Sequence, residues 1–214
     1  MCGIAGIFDT TGKREIDREL LGRMNEVQHH RGPDEGGLHT EPGLGFGHRR
    51  LSIIDLSSGQ QPLFNQDGTV AVTYNGEIYN FMEVRAELEQ RGYQFRTHCD
   101  TEVIVYAWEV WGEDCVDHFR GMFAFAVWDR LRETLFLARD RMGVKPLYYA
   151  ALANGLFIFG SELKVLRQHP DMPRQIDPTA VEEYFAYGYV PDPKTIYKGV
   201  HKLPPGYKLT LKRG

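Results

Sequence analysis

The pattern of apolar and polar positions divides the chain into strand-like and helical stretches. The opening MCGIAGIF puts small and apolar residues from Gly3 to Phe8, the pattern of a buried strand. Asp17 then precedes Leu20, Leu21, Met24 and Val27, which share one face of a helix that Asp17 can cap. The stretch HHRGPDEGG, with Gly32, Pro33, Gly36 and Gly37, predicts a loop. LGFGHRRLSIID reads as a strand containing glycines, and TVAVTYNGEIYN as two strands joined by a tight Asn75-Gly76 turn. Asn80 and Glu83 have the spacing of a capping box for a helix carrying Phe81, Val84 and Leu88, which Gly92 can end. A second helix follows Asp100, with Val103, Ile104, Ala107 and Trp111 apolar and Gly112 after it.

Beyond Gly112 the period changes. GMFAFAVWD, TLFLARD, KPLYYAA and GLFIFGS are four short strand-like runs separated by turns, a spacing that predicts antiparallel pairing. SELKVLRQ reads as helical. Asp177-Pro178 is a cap and first-turn pair for a helix reaching about Tyr187, and YKGVHKLPPGYKLTL is extended around a Pro-Pro-Gly turn. Strands, two helices, then more strands and helices imply an α+β layered domain. Periodicity alone does not give the order of strands in the sheets.

Composition narrows the class. A length of 214 residues suits one large domain, and the apolar and charged fractions are those of a soluble globular protein. A formal net charge of -4 with no basic stripe argues against nucleic acid or an anionic membrane surface as partner. No apolar run approaches the ~18 residues of a membrane span, and the N-terminus lacks the pattern of a signal peptide. Three cysteines, Cys2, Cys99 and Cys115, fit a reducing cytoplasm better than a disulfide framework, and no Cys/His cluster has zinc-type spacing.

Few residues then carry candidate chemistry. Cys2 is either a small buried hydrophobe or, once Met1 is removed, a residue with a thiol and a free α-amine together. That amine titrates near about 7.7–8.0 and the thiol near about 8.5, so the amine can accept the thiol's proton close to neutral pH. A buried strand would hold both groups still. Asn75 offers an amide donor and Gly76 an unshielded backbone N–H for an oxyanion, although the same pair also reads as a hairpin turn. Arg49 and Arg50 are neighbours on a predicted strand, so one can face a pocket while the other is solvated. Glu77 and Asp100 supply carboxylates, with a helix cap as the plainer role for Asp100.

The ordered series MCGIAGIFD, HHRGPDEGG, HRRLSIIDL, QPLFN, YNGEIYN, GMFAFAVWD, RDRMGVKPLYY and SELKVL resembles the glutaminase domain of glutamine-hydrolysing asparagine synthetases. More broadly it resembles the class II glutamine amidotransferases, which are N-terminal-nucleophile enzymes. The resemblance covers nearly the whole chain. It implies a four-layer αββα sandwich with two antiparallel sheets. It also implies Cys2 as nucleophile, Asn75 and Gly76 as oxyanion hole, Arg50 on the glutamine carboxylate, Glu77 and Asp100 on its ammonium, and Leu51 and Ile54 lining the pocket. The substrate implied is L-glutamine, and this half-reaction needs no cofactor or metal. The resemblance further implies that the chain, from about Asp177, leads toward a C-terminal ATP-pyrophosphatase synthetase domain, where ATP and magnesium would act. That domain's SGGxDS loop is not in these 214 residues, so the chain is expected to be part of a longer protein. The acceptor of the ammonia, aspartate by default, is left open, as is a homodimer. Two other classes remain: an N-terminal-nucleophile hydrolase of apolar amides, and a non-catalytic regulatory domain.

Overall fold

The structure, a computed structural model, describes residues 1–52 and 59–213. In chain order the regular elements are β1 (Gly3–Asp9), α1 (Arg18–Glu26), β2 (Glu35–Glu41), β3 (Leu44–Arg50), β4 (Leu63–Phe64), β5 (Val70–Ile78), α2 (Phe81–Gln90) and α3 (Thr101–Trp111). They continue with β6 (Gly121–Asp129), β7 (Thr134–Arg139), β8 (Tyr148–Ala151), β9 (Leu156–Gly160), α4 (Leu163–Leu166), α5 (Pro178–Tyr187), β10 (His201–Lys202) and β11 (Lys208–Lys212).

The strands form two antiparallel sheets, ordered β10-β8-β9-β1-β3-β2 and β11-β7-β6-β5-β4. Their inner faces pack on each other through Ile4, Phe8, Phe46, Ala124, Ala126, Trp128, Leu137 and Phe159. The outer face of the first sheet takes Leu21 and Met24 of α1 with Val165 and Leu166 of α4. The outer face of the second takes Val84 and Leu88 of α2 with Val103, Ile104 and Ala107 of α3. Helix, sheet, sheet and helix therefore stack as four layers, and every apolar strand face finds a partner layer.

Local signals explain several boundaries. Asp17 Oδ1 accepts the N–H groups of Glu19 at 2.9 Å and Leu20 at 3.0 Å, starting α1. Asp177 accepts from Thr179, and Gly188 ends α5 with a φ of 78°.

Four expectations are corrected. Asn75-Gly76 is no hairpin turn, because β5 runs straight through it in register with β6, from Val70↔Asp129 to Ile78↔Gly121. A Cβ on Gly76 would lie 2.3 Å from Met122 O, so glycine serves close strand approach there. Gly36 and Gly37 lie in β2, paired with Arg49 and His48, and not in a loop. A Cβ on Gly37 would meet Gln61 O at 1.8 Å. Asn80 does not complete a capping box: its side chain accepts from Arg120 N at 2.7 Å and donates to His118 O at 2.9 Å, while Glu83 pairs with Arg120. The helix predicted over SELKVLRQ is the short α4.

Candidate active site

The N-terminus is fixed from both sides. Gly3 opens β1 opposite Arg49, and Ile4 exchanges hydrogen bonds with Ser161, its N–H to Ser161 Oγ and its carbonyl from Ser161 N, each at 3.0 Å. Arg31 Nε donates to Cys2 O at 2.9 Å, and Arg31 Nη1 pairs with Glu162 at 3.1 Å. The half-buried Cys2 Sγ thus stands at a set position at the head of a core strand. Its thiol donates to Leu51 O across 3.8 Å. Burial pushes the thiol up from its ordinary value, and that hydrogen bond works against the rise.

Cys2 opens onto a cavity of about 280 Å³. Seven of the eight candidates lie on its wall: Cys2, Arg50, Leu51, Asn75, Gly76, Glu77 and Asp100. Ile54 lies outside the described residues. Both sheets supply lining residues, Arg50 from the end of β3 and Asn75 to Glu77 from β5. A polar bridge between those strands keeps them together, with His48 Nε2 donating to Tyr74 O at 3.0 Å and Thr73 Oγ1 to Gly47 O at 3.2 Å.

Asn75 is 1 % exposed, and among the described residues its Nδ2 has no hydrogen-bond partner. A buried amide donor on a cavity wall is costly unless something in the cavity accepts from it. Asp100 stands at the head of α3 but does not cap it. Its Oδ2 instead accepts from Tyr74 Oη at 2.5 Å and Ile78 N at 2.9 Å. Burial raises the Asp100 carboxyl above its usual range, with these two donors opposing. Burial, then the Asp100 charge, lifts the Tyr74 hydroxyl well above its own. Arg50, 4 % exposed, pairs through Nη1 with Glu35 Oε2 at 3.0 Å and directs its charge at the cavity.

The expected division of the two arginines is half right. Arg49 faces away from the cavity, but it is not solvated. Its side chain is 11 % exposed, its Nε donates to Gly32 O at 3.0 Å, and its Nη1 meets Glu26 of α1 at 3.3 Å.

Several residues on or beside this wall carry no signal in the sequence. Gln61 lines it, receiving the Tyr74 N–H at 2.7 Å and donating to Thr101 Oγ1 at 3.3 Å. Glu35 meets Arg50 only because β2 pairs with β3 in the register Glu35↔Arg50. Tyr74 stands beside Asn75 in YNGE, whereas Lys145 of RDRMGVKPLYY reaches the wall only through the fold.

Residues 1–214 match the glutamine amidotransferase domain family. The chain belongs to the class II glutamine amidotransferases. This amidotransferase domain is 41 % identical over 216 residues to glutamine-hydrolysing asparagine synthetase 3 of Bacillus subtilis, covering 100 % of this chain and 35 % of that protein. It is 42 % identical over 166 residues to asparagine synthetase 3 of Arabidopsis thaliana, covering 78 % of this chain and 28 % of the relative. The chain therefore spans about a third of the length of these relatives. Among solved structures, glutamine phosphoribosylpyrophosphate amidotransferase from B. subtilis superposes with a TM-score of 0.62 at 20 % identity, covering 78 % of this chain and 43 % of that one. At that identity the likeness concerns the fold, the two-sheet N-terminal-nucleophile architecture described above.

Proposed function

We propose that this amidotransferase domain hydrolyses L-glutamine to glutamate and ammonia through a thioester on Cys2. The observation that carries the reading is the buried, unpartnered Asn75 amide on the wall of the cavity that Cys2 opens onto. Among the described residues no oxygen accepts from this donor.

The wall fits free glutamine. Arg50 is placed to take the α-carboxylate by a bidentate, charge-assisted pair, and Asp100 with Glu77 to take the ammonium. The side-chain amide then lies between Cys2 and Asn75-Gly76. A hydrolase of apolar amides would have no use for these opposed charges. With Met1 attached, the nitrogen of Cys2 is a peptide amide. Removal of Met1 leaves a free amine one residue nearer the cavity. Burial already lowers the Met1 amine, and the same surroundings favour a neutral, proton-accepting amine on Cys2.

The amine takes the Sγ–H proton and the thiolate adds to the amide carbon. Asn75 Nδ2 and the Gly76 N–H stabilise the oxyanion, typically the largest electrostatic contribution to such a step. Collapse breaks the C–N bond, the amine returns its proton to the leaving nitrogen, and ammonia departs. Water attacks the thioester, and glutamate and the thiol are released. No further reactant enters this half-reaction.

The names of the relatives support asparagine synthesis as the use of the ammonia, with aspartate accepting it in an ATP-dependent synthetase domain outside these residues. The assay is glutamate release from glutamine, without ATP, by chain whose Met1 has been removed. Release is expected, with none from chain carrying an uncleavable N-terminal extension. Equal activity with the extension in place would remove the α-amine from the mechanism. Asparagine formed by this chain alone from aspartate and ATP would contradict the placement of synthesis elsewhere.

A further inference from the structure

The turn after β7 brings a charge to the cavity that the glutamine reading does not use. Lys145 lines the wall and is 6 % exposed. Buried lysines are almost always paired, yet among the described residues no carboxylate lies within 4.0 Å of this ammonium.

The backbone holds it there. Lys145 N donates to Asp140 Oδ2 at 2.9 Å, and Lys145 O accepts from Arg139 Nε at 2.8 Å. The buried Asp140 carboxylate also accepts from Phe123 N of β6 at 3.2 Å, Met142 N at 3.1 Å and Val144 N at 2.9 Å. One carboxylate with four N–H donors thus clamps the turn 140–145 to the strand facing Asn75-Gly76. Such a clamp, at a real cost in chain entropy, fixes where Lys145 stands.

We propose that Lys145 is the fixed positive charge that stabilises the Cys2 thiolate. The inference rests on the reading of Cys2 as nucleophile. Three anions arise in the proposed reaction. The glutamine carboxylate has Arg50, and the tetrahedral oxyanion has Asn75 and Gly76. The thiolate is the one without a dedicated partner, and burial disfavours it. An ammonium on the same wall offsets that cost and keeps its own proton, while the Sγ proton goes to the α-amine. Burial first, then the Arg31 charge, pushes the Lys145 ammonium down, while Cys2, Asp140 and Glu77 pull it up; on the thiol itself, burial's rise is opposed by the Leu51 hydrogen bond, the N-terminal amine and Arg50.

The other groups facing Cys2 are constant in the comparison below. From the N-terminal side they are Arg31 and the terminal amine, which stands on Cys2 once Met1 is removed, with Asp34 acting on the amine in the chain that keeps Met1. Arg50 comes from β3, Tyr74 and Glu77 from β5, and Cys99 and Asp100 from the segment before α3.

The test is the pH dependence of Cys2 alkylation by iodoacetamide, located by peptide mass mapping, in Met1-free protein carrying the native Lys145, Lys145→Met or Lys145→Arg. An opposite charge nearby lowers an acid's pKa by about one unit or more. Lys145→Met should therefore raise the midpoint by about one unit and slow alkylation below it about tenfold, because the thiolate is the reactive form. Lys145→Arg should stay near native. An unchanged midpoint in folded Lys145→Met, or an equal shift in both variants, overturns the proposal; should Lys145→Met not fold, Lys145→Gln replaces it under the same criteria. No glutamine is present, so a failure here leaves the glutaminase reading standing. Absent glutaminase activity beside a shifted midpoint would sink that reading and not this one.

Discussion

Arg49 and Arg50 are identical in chemistry and adjacent in sequence, and the structure gives them opposite work. Arg50 meets Glu35 and the cavity, whereas Arg49 ties Gly32 O and Glu26 behind the sheet. Leaving one member of a desolvated charge pair alone costs about 2–5 kcal/mol. At about 1.4 kcal/mol per tenfold, Arg50→Ala should lower kcat/KM for glutamine by roughly thirty-fold to several thousand-fold. Arg50→Lys should recover only part, since an ammonium lacks the planar fork. Arg49→Ala should instead cost about 1–3 kcal/mol of stability by leaving a carbonyl without its donor, seen as a lower urea midpoint with KM for glutamine near native. Equal kinetic damage from the two would reverse the facing of this strand. The residues that sequence reading found here have local signals, as with the terminal Cys2 and the YNGE stretch. Glu35, Gln61 and Thr101 were not legible, because register and chain crossings bring them to the site.

Among the elements, β5 departs most from its sequence pattern. Asn75-Gly76 is the strongest short hairpin signal in the chain, yet Gly76 keeps to the strand and takes no positive φ. Tertiary packing overrides the turn preference, because nine β5 residues pair without a break with β6. Gly76→Ala should then destabilise by about 1–3 kcal/mol through overpacking against Met122 and Phe123. An unchanged urea midpoint would mean that the strands are less close than described. The bridge between β3 and β5 gives a second prediction. Burial lowers the fully buried His48 to about 3, below its unfolded value of about 6.5. A depressed folded value means that the unfolded state binds the proton first. The stabilising contribution is complete above about pH 6.5 and is lost as the pH falls from there toward 3. Within that window the unfolding free energy should fall with His48's share approaching about 1.36 kcal/mol per pH unit. In His48→Leu, urea unfolding series should show a slope shallower by that amount. An identical slope in the variant would mean that His48 titrates alike in both states.

For the whole molecule, the alternation of apolar runs made an α+β domain with antiparallel strands legible, and most elements lie where their patterns put them. The order of strands was not legible. β4 to β7 pair with their neighbours in sequence, but β1 sits between β3 and β9 and β11 returns to pair with β7, placements that no local pattern signals. The four-layer stacking came from the resemblance, and the three apolar clusters now give it a physical basis. That stacking puts the head of β1, the end of β3 and the second half of β5 around one cavity with Cys2 on its wall. The most direct measurement is intact-mass analysis with peptide mapping of Met1-free chain, quenched with acid during glutamine turnover. One γ-glutamyl group is expected on Cys2, none on Cys99 or Cys115, and neither adduct nor glutamate release in Cys2→Ala. Undiminished glutamate release by Cys2→Ala would contradict Cys2 as the nucleophile.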